Sequence, residues 1–333
     1  MNILLESRVF YPSGGGLEMM SQELGKAWRK KGHEVRVVTA TPLDGHNELD
    51  TLTVYRKPSA CSMKRLVKWA DVFVQSGISL RSLHWPVLTG TPLVIIHHNL
   101  LTPRIAPPVR TGLKKLASHL GVNVAVSTPV AETVPGPTIC IPNTFRPVFD
   151  QPDAGDTERS GLLFVGRLVS VKGGDVAINA LRILRDRGID TTLTVCGEGP
   201  EERALRNRAR RLGIEGAVTF EGWATPEELA DYYRSVELLV VPSRYEPFGI
   251  VALEAIASGC PVVASNTGGL PEAVGSCGGL VEPDAPEALA EGIEAALRSE
   301  NRQSFRAAMP EHVGRHRIDR IARQYLRTFD AIV

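Results

Sequence analysis

The chain has 333 residues, with 38 Lys and Arg against 37 Asp and Glu, and 43% of its residues are hydrophobic. This composition excludes a disordered chain, and the length predicts two domains of ordinary size. No apolar stretch approaches the roughly 20 residues of a membrane span, and Glu6 stands where an export signal would still be apolar. We therefore expect a cytoplasmic protein, and its five widely spaced cysteines predict free thiols in a reducing compartment.

The charge is divided unevenly between the two halves of the chain. Residues 1–150 hold 17 Lys and Arg against 10 Asp and Glu, a net charge of +7, whereas the remainder holds 21 against 27, a net charge of −6. The basic residues of the first half gather in three clusters, at 29–31, at 64–68 and at 110–115. These clusters predict either solvated helix faces or contact with an anionic partner, which would be an acidic acceptor or the anionic inner face of a membrane.

Short β-branched runs alternate with amphipathic stretches along the whole chain. In the first half we predict strands at 2–6, 34–39, 71–75, 92–97, 122–127 and 138–141, with helices at 17–31 and 103–119. In the second half we predict strands at 161–166, 191–196, 217–220, 237–241 and 261–264, with helices at 173–187, 201–212, 226–234, 249–258 and 286–298. Near-continuous apolar strands joined by helices are typical of parallel sheets covered on both faces.

We therefore predict two Rossmann-like, doubly wound α/β domains, at 1–150 and at 151–314. The boundary falls in the polar, Pro- and Gly-bearing stretch 142–160. Two such sheets can open their carboxyl ends onto a common cleft, and ligands of parallel sheets bind at those ends. Candidate site residues are therefore sought directly after strands.

A glycine-rich turn follows the first predicted strand and leads into a helix. It contains Gly15 and Gly16, which would let the backbone approach an anion at a helix N-terminus. It is not a dinucleotide-binding fingerprint, because Met19 stands where the third glycine is required. The turn predicts either a tight connection or an anion-binding loop.

Two cations follow the first strand of the second half. Gly166 ends that strand, and Arg167 and Lys172 stand five residues apart before the next helix. Arginine can bind an oxygen pair in a bidentate manner and lysine adds a mobile point charge, so the pair suits a diphosphate. Solvated side chains are the alternative. Gly197 ends the following strand, where a glycine turn keeps bulk away from a neighbouring ligand.

The segment 246–254 carries an acid at each end. Glu246 precedes the turn Pro247–Gly249, and Glu254 lies one to two turns inside the helix that follows. Phe248, Gly249 and Ile250 offer unpaired amides at the helix N-terminus, and each carboxylate can hold a vicinal diol. Stabilisation of the helix dipole is the alternative role for Glu254.

Adjacent histidines end the fourth predicted strand. His97 and His98 point to opposite faces of an extended strand and make a poor metal pair without a third ligand. One is therefore expected to pack and the other to reach the cleft, where it could hold a sugar or act in catalysis.

Taken together, these motifs resemble the retaining GT-B glycosyltransferases of family 4 (glycosyl transferases group 1) over nearly the whole chain. The resemblance rests on their order: the opening glycine turn, then 32–35, 141–143, 166–167, 172–173, 197–199, 246–254 and 267–272. It implies the GT-B fold, an N-terminal acceptor domain, a C-terminal donor domain, and a last helix, 315–333, that returns to the first domain. It also implies sugar transfer from a nucleotide-diphosphate donor with retention, without a metal ion or other cofactor.

The resemblance also implies roles for individual residues. Arg167 and Lys172 would bind the donor phosphates, Glu254 the ribose, and Glu246 the donor sugar, with the backbone of Phe248, Gly249 and Ile250 at the β-phosphate. Gly15 and Gly16 would lie at the diphosphate and the acceptor, with Gly166 and Gly197 also on the donor side. Gly222 and Trp223 would line the base through backbone groups. His98 would contact the donor sugar, with His97 in reserve.

The acceptor stays open among a glycan, a lipid-linked sugar and a small metabolite, and UDP-glucose and GDP-mannose are the first donors to test. A sugar-nucleotide epimerase of the same fold and a catalytically inactive nucleotide-sugar-binding protein are the alternatives. A NAD dehydrogenase ranks third, because the opening glycine turn and the segment 197–199, which has Glu202 in place of the third glycine, are both incomplete fingerprints. No nucleic-acid partner is expected.

Overall fold

A computed structural model describes residues 1–11, 15–42, 48–49, 51–102, 107–151 and 159–333, with backbone alone at 48–49. The start of the predicted glycine turn, the start of the helix predicted at 103 and residues 152–158 of the polar boundary stretch lie outside these residues. The described chain forms two compact units. Unit 1 comprises Met1–Thr144 and His316–Val333, and unit 2 comprises Phe145–Arg315.

The strands of unit 1 are β1 (Asn2–Ser7), β2 (Glu34–Thr39), β3 (Glu48–Leu49), β4 (Leu52–Arg56), β5 (Val72–Ser76), β6 (Leu93–His97), β7 (Val122–Ala125) and β8 (Thr138–Cys140). Those of unit 2 are β9 (Leu162–Val165), β10 (Leu193–Cys196), β11 (Val218–Gly222), β12 (Leu238–Val241), β13 (Val262–Ser265) and β14 (Gly278–Val281).

The helices, in chain order, are α1 (Gly16–Lys30), α2 (Ala60–Trp69), α3 (His84–Thr89), α4 (Pro108–Ala117), α5 (Thr128–Ala131), α6 (Gly174–Asp186), α7 (Glu202–Arg211), α8 (Pro226–Ser235), α9 (Ile250–Ala257), α10 (Leu270–Val274), α11 (Pro286–Leu297), α12 (Ser299–His316) and α13 (Ile318–Asp330). Short 3-10 turns are added at Ser118–Leu120, Pro147–Phe149, Ser170–Lys172 and Glu215–Ala217. Within the described part of the chain, no helix combines the length and hydropathy that crossing a bilayer requires.

Unit 1 is built on a central parallel sheet with strand order β3-β4-β2-β1-β5-β6-β7-β8. All of its neighbouring strands run parallel except β3, which pairs antiparallel with β4 at the edge. Ile3 stands beside Val35 of β2 on one side and Val72 of β5 on the other. All three side chains are fully buried. The sheet changes its winding direction between β1 and β5, which is the point where open α/β sheets bind ligands.

Helix α13 belongs to unit 1, although unit 2 separates it from the rest of that unit in sequence. Its buried Tyr325 and Phe329 pack on Trp28 of α1, with ring centroids 5.8 and 5.2 Å apart in edge-to-face arrangements. The amphipathic pattern of α13 therefore finds its partner in the first helix of the chain.

Unit 2 is built on an all-parallel sheet with strand order β11-β10-β9-β12-β13-β14. Its hydrophobic core includes Leu181 and Leu184 of α6 and Ile293 of α11, which pack with buried strand residues such as Leu238. The winding direction changes between β9 and β12, so the loops after these two strands start side by side. The prediction of two doubly wound parallel-sheet α/β domains is confirmed.

Candidate functional site

Three glycines predicted to border the donor lie together at the carboxyl ends of β9, β10 and β11. The amide of Gly166 donates to the carbonyl of Cys196 at 3.0 Å, and the amide of Gly197 donates to the carbonyl of Gly222 at 2.6 Å. Gly197 has φ +141°, and a Cβ there would lie 2.0 Å from the carbonyl oxygen of Gly166. Residue 197 is therefore required to be glycine because a side chain would collide with the neighbouring backbone, whereas the sequence suggested a neighbouring ligand as the reason.

The loop after β9 presents both predicted cations. Arg167 is exposed and pairs with none of the described acidic side chains. Lys172 ends the 3-10 turn Ser170–Lys172 and forms an ion pair with Glu246, a residue of the loop after β12. The pair joins the two loops on either side of the switch point, and both side chains are mostly withdrawn from solvent, 27% and 12% exposed.

Arg244 holds the Lys172 turn in place. Its guanidinium donates to both carboxylate oxygens of Asp175 at 3.0 and 2.9 Å and pairs with Asp284 at 2.6 Å. It also donates to the carbonyl of Ser170, while its backbone amide donates to the carbonyl of Val171 at 2.9 Å. These hydrogen bonds to the two carboxylates raise the pKa of Arg244 above its ordinary value. The loops after β9 and β12 are thereby fastened to each other independently of the Lys172–Glu246 pair.

The loop carrying Glu246 turns sharply into α9. The carbonyl of Glu246 accepts a hydrogen bond from the amide of Gly269 at 2.9 Å, so the loop after β13 supports it from behind. Gly249 caps α9 in the left-handed region with φ +111°, and Ile250 is the first helical residue. The Phe248 side chain is buried beside this turn.

Glu254 lies inside α9 and is 6% exposed. Burial raises the pKa of this carboxyl group to about 7, against a smaller opposing effect of the positive charge of Arg146. The Tyr233 hydroxyl lies near enough to influence Glu254, but it makes no hydrogen bond of ordinary geometry with any described residue. Glu254 therefore stands on the border between its neutral and ionised forms at neutral pH.

Gly222 ends β11, which lies two strands away from β9, and Trp223 follows it directly. The indole of Trp223 is one of the large apolar side chains that unit 2 exposes, at 60%.

In unit 1, Gly15 caps α1 with extended backbone and Gly16 begins the helix. His98 follows β6, and its Nε2 lies 3.0 Å from the Ser76 hydroxyl. The Ser76 hydroxyl lies 2.8 Å from that of Ser21, which donates to Ser7 at 3.1 Å. This chain of hydroxyl groups crosses the switch point between β1 and β5 and fixes the imidazole. Burial lowers the pKa of His98 to about 4, so the ring is neutral at physiological pH.

His97 occupies a different environment. It is 2% exposed, and its Nε2 lies 2.9 Å from Oδ1 of Asn123. The Asn123 amide group donates to the carbonyl of Ser118 at 3.0 Å, which assigns Oδ1 as the acceptor and places the His97 proton on Nε2. His97 is thus held inside unit 1 while His98 is partly exposed.

Both histidines line a cavity of about 150 Å³ at the carboxyl edge of the unit 1 sheet. Leu17, Gly77, Thr111 and Lys114 complete much of its wall. Burial and the nearby charges of Arg110 and Arg8 lower the pKa of Lys114. The wall thus combines apolar groups, a neutral imidazole and a cation.

Each unit therefore places candidate polar groups at its own ligand-binding edge. In unit 2 the arrangement offers two cations, helix amides and two carboxylates, a set that can stabilise a departing diphosphate and hold hydroxyl groups. Among the described residues no group of three or more His, Cys, Asp and Glu gathers closely enough to hold a metal ion. The roles of the individual site residues stay predictions.

Sequence reasoning missed Arg244, Arg146, Tyr233 and the serine chain. Arg244 stands two residues before Glu246, but its carboxylate partners Asp175 and Asp284 are remote in sequence. A serine or tyrosine in an apolar run carries no signal of its partner. Arg244 stands three residues beyond the end of β12, so a search directly after strands did not identify it.

A family model and several individual proteins match part of this chain. Residues 147–312 match the family model described as "Glycosyl transferases group 1". Glycogen synthase of Mycobacterium tuberculosis is 44% identical over 149 residues, which are 45% of this chain and 35% of that protein. D-inositol 3-phosphate glycosyltransferase of Corynebacterium glutamicum is 43% identical over 142 residues, 40% of this chain and 34% of that protein. The matches span about a third of the length of these relatives.

The fold of the whole chain also occurs in solved structures. HepE of Anabaena, in complex with UDP and glucose, superposes with a TM-score of 0.83 at 20% identity and covers 99% of this chain and 100% of its own. A glycosyltransferase from Rickettsia africae superposes with a TM-score of 0.81 at 18% identity, covering 99% of this chain and 98% of its own. The predicted GT-B fold and the resemblance to group 1 are confirmed.

Proposed function

We propose, on the premise that residues 147–312 belong to the glycosyl transferases group 1 family, that this protein transfers a sugar from a nucleotide-diphosphate donor to a hydroxyl acceptor. The two relatives described above are named glycogen synthase and D-inositol 3-phosphate glycosyltransferase. The activity, its donor and its acceptor are proposals for this chain.

The observation that carries the proposal is the ion pair between Lys172 and Glu246 at the switch point of the unit 2 sheet. A donor would provide a phosphate for the ammonium group of Lys172 and sugar hydroxyls for the carboxylate of Glu246. Both side chains would then exchange their mutual ion pair for contacts with the donor. Lys172 is the only lysine after Lys115, and the other basic residues of that stretch are arginines. A mobile ammonium point charge is thus used at this one position, where a phosphate would lie.

The proposed mechanism uses fixed positive charge at the leaving group. Arg167, Lys172 and the amides at the start of α9 stabilise the negative charge that develops on the departing diphosphate, so no metal ion is needed. The leaving phosphate takes the proton of the acceptor hydroxyl, and the new bond forms on the face that the diphosphate leaves, with retention. Glu254 holds the ribose, His98 the donor sugar, and Gly222 and Trp223 border the base.

UDP-glucose is the first donor to test, and the UDP and glucose named in the HepE structure support that choice. GDP-mannose is the second. The acceptor is proposed to be a glycan, a lipid-linked sugar or a small metabolite that binds unit 1 near Gly15, Gly16 and His98. We also propose a cytoplasmic location and a peripheral contact of the basic N-terminal half with an anionic membrane.

A thermal-shift screen against nucleotide sugars, free nucleotides and NAD, with magnesium or with EDTA, tests the donor. We expect one nucleotide sugar to raise the unfolding temperature equally in magnesium and in EDTA, and turnover of that donor with an acceptor panel to persist in EDTA. Stabilisation by NAD alone contradicts the proposal. Product formed from the donor without an acceptor identifies an epimerase instead, and binding without turnover across the panel identifies an inactive binding protein.

Replacement of Lys172 by Ala tests the phosphate role directly. We expect the turnover number to fall about 100- to 1,000-fold, because a fixed charge at the leaving group acts mainly in the transition state. Lys172→Arg restores only part of the loss, since the guanidinium geometry differs. Lys68→Ala, which removes an exposed lysine on α2, is the matched control and keeps full turnover. Near-normal turnover of Lys172→Ala in steady-state assays would refute the assignment.

A further inference from the structure

Helix α4 turns its apolar face to solvent. Its buried residues are Thr111 and Ala117, whereas Val109, Leu113 and Leu116 are 78, 51 and 69% exposed. Leu120 of the following 3-10 turn is exposed as well, at 53%. The spacing of four and three residues places Val109, Leu113 and Leu116 along one side of α4, and Leu120 follows beyond the end of the helix. We call Val109, Leu113, Leu116 and Leu120 the apolar stripe.

Cations flank the apolar stripe on both sides. Arg110 follows Val109 and Lys115 precedes Leu116, so each lies about 100° around the helix axis from the stripe, in opposite directions. The sequence contains no Asp or Glu between Asp71 and Glu132, a stretch that includes β5, α3, β6 and the whole of α4. The surface around the stripe is therefore positively charged without local compensation from its own segment.

The apolar surface extends from α4 to α3. Val87 and Leu88 of α3 are exposed, and Val87 lines the same open cavity of about 500 Å³ as Leu120 and Ile332. Scattered single apolar side chains are ordinary on protein surfaces, but a contiguous apolar patch marks an interaction site.

The other two basic clusters of the first half differ from α4. Helix α2 carries Lys64 and Arg65 on its exposed side, but its apolar Met63, Leu66 and Val67 face inward. The cluster at the end of α1 is partly neutralised, because Lys31 pairs with Asp319 of α13 at 3.4 Å. Among the described clusters, α4 is the one that joins exposed apolar side chains to unneutralised cations.

We propose that α4 docks this protein on an anionic lipid bilayer, with the apolar stripe entering the boundary between headgroups and acyl chains. Arg110 and Lys115 then reach the lipid phosphates, since long basic side chains can extend from an apolar surface to a polar layer. The charge of this face selects a negatively charged surface over a neutral one. The proposal concerns binding and stands independently of the transfer reaction.

Flotation of the full chain with phosphatidylcholine vesicles that contain or lack phosphatidylglycerol tests the proposal. We expect binding to the anionic vesicles and at least about tenfold weaker binding of the double variant Leu113→Gln/Leu116→Gln, because each leucine transfers apolar surface into the membrane. Arg110→Gln/Lys115→Gln weakens binding at about 0.1 M salt, and salt near 1 M removes the difference between this variant and the unaltered protein, because the Debye length shortens from about 10 to 3 Å.

The matched controls separate α4 from general effects. Leu280→Gln removes an exposed leucine of unit 2, and Lys64→Gln/Arg65→Gln removes two exposed cations of α2; both are expected to bind as the unaltered protein does. Circular dichroism and the unfolding temperature check that each variant is folded. The proposal is overturned if the protein ignores anionic vesicles or if the leucine variant binds them unchanged. It is also overturned if the protein instead dimerises through α4, seen as a concentration-dependent mass in sedimentation that the leucine variant abolishes.

Discussion

Glu254 links the candidate donor site to pH through a single buried carboxyl group. In the folded protein its pKa is about 7, and in the unfolded chain it returns to the ordinary value of 4.5. The folded state therefore holds a proton that the unfolded state has already released over this interval. In the proposed role of Glu254 at the donor ribose, hydrogen bonds from the ribose would favour the ionised carboxylate, so donor binding would be coupled to proton release.

The stability contribution of Glu254 is full below about pH 4.5 and is lost as the pH rises to about 7, because the raised pKa favours the protonated folded state. The loss amounts to about 3 kcal/mol. Glu254→Gln does not titrate, so we expect its free energy of unfolding relative to the unaltered protein to improve by about this amount between pH 4.5 and pH 8. Urea unfolding across that range measures it, with the exposed Glu287→Gln as control. Curves for Glu254→Gln that run parallel to those of the unaltered protein would exclude the effect.

At the residue scale, the sequence predicted the groups that lie directly after strands. Lys172 and Glu246 were chosen separately, and the structure brings them into contact across 74 residues of chain. Arg244 and Tyr233 could not be found in this way. The residues that their side chains approach are remote in sequence and come near only in the folded chain. Position after a strand can be read from a sequence, but a tertiary partner cannot.

At the scale of elements, the buried strands were predictable from the sequence, whereas strand β4 and the helices α2 and α4 were less so. Strands β1, β6 and β12 each contain three or four consecutive apolar residues and agree with their predicted ranges to within one residue. Strand β4, between two polar turns, and helix α2, with three buried residues, were missed. The helix predicted at 103–119 is described as α4 and a 3-10 turn from Pro108 onward. Helical period alone did not reveal that its apolar side faces outward.

The contact between the ends of β9 and β10 predicts a strict requirement for glycine at 197. Gly197→Ala places a methyl group against the carbonyl of Gly166 in a backbone region that side chains disfavour. We expect the unfolding free energy of unit 2 to fall by at least about 2 kcal/mol. Gly216→Ala is the matched control, because a Cβ there meets nothing within 4 Å, and it should change stability by less than about 0.5 kcal/mol. Equal stability of the two variants in urea unfolding would contradict this explanation.

At the scale of the whole molecule, the chain leaves unit 1 after Thr144 and returns to it at His316. The return was expected from the family resemblance, and no local pattern in 316–333 names Trp28 as the partner of α13. The apolar face of this helix could be read from the sequence, but the surface that covers it could not.

Phe329→Ala is predicted to destabilise unit 1 selectively. The ring is fully buried against Trp28, and its loss leaves a cavity that costs about 3 to 5 kcal/mol. In differential scanning calorimetry we expect the transition of unit 1 to move to lower temperature while that of unit 2 stays in place. Arg327→Ala, on the exposed side of the same helix, is the control. A shift of the unit 2 transition alone would contradict the assignment of α13 to unit 1.

The discontinuity of unit 1 sets an order of events during synthesis on the ribosome. Unit 2 is contiguous and is complete as soon as Arg315 has emerged, whereas the pocket around Trp28 must wait for Tyr325 and Phe329. At about 5 to 20 residues per second, the interval between the synthesis of Trp28 and that of Phe329 is roughly 15 to 60 s. During this time the apolar side of α1 that includes Trp28 and later receives α13 is exposed in the nascent chain. The first domain to begin is therefore the last to finish, and a chaperone that shields α1 would act in that interval.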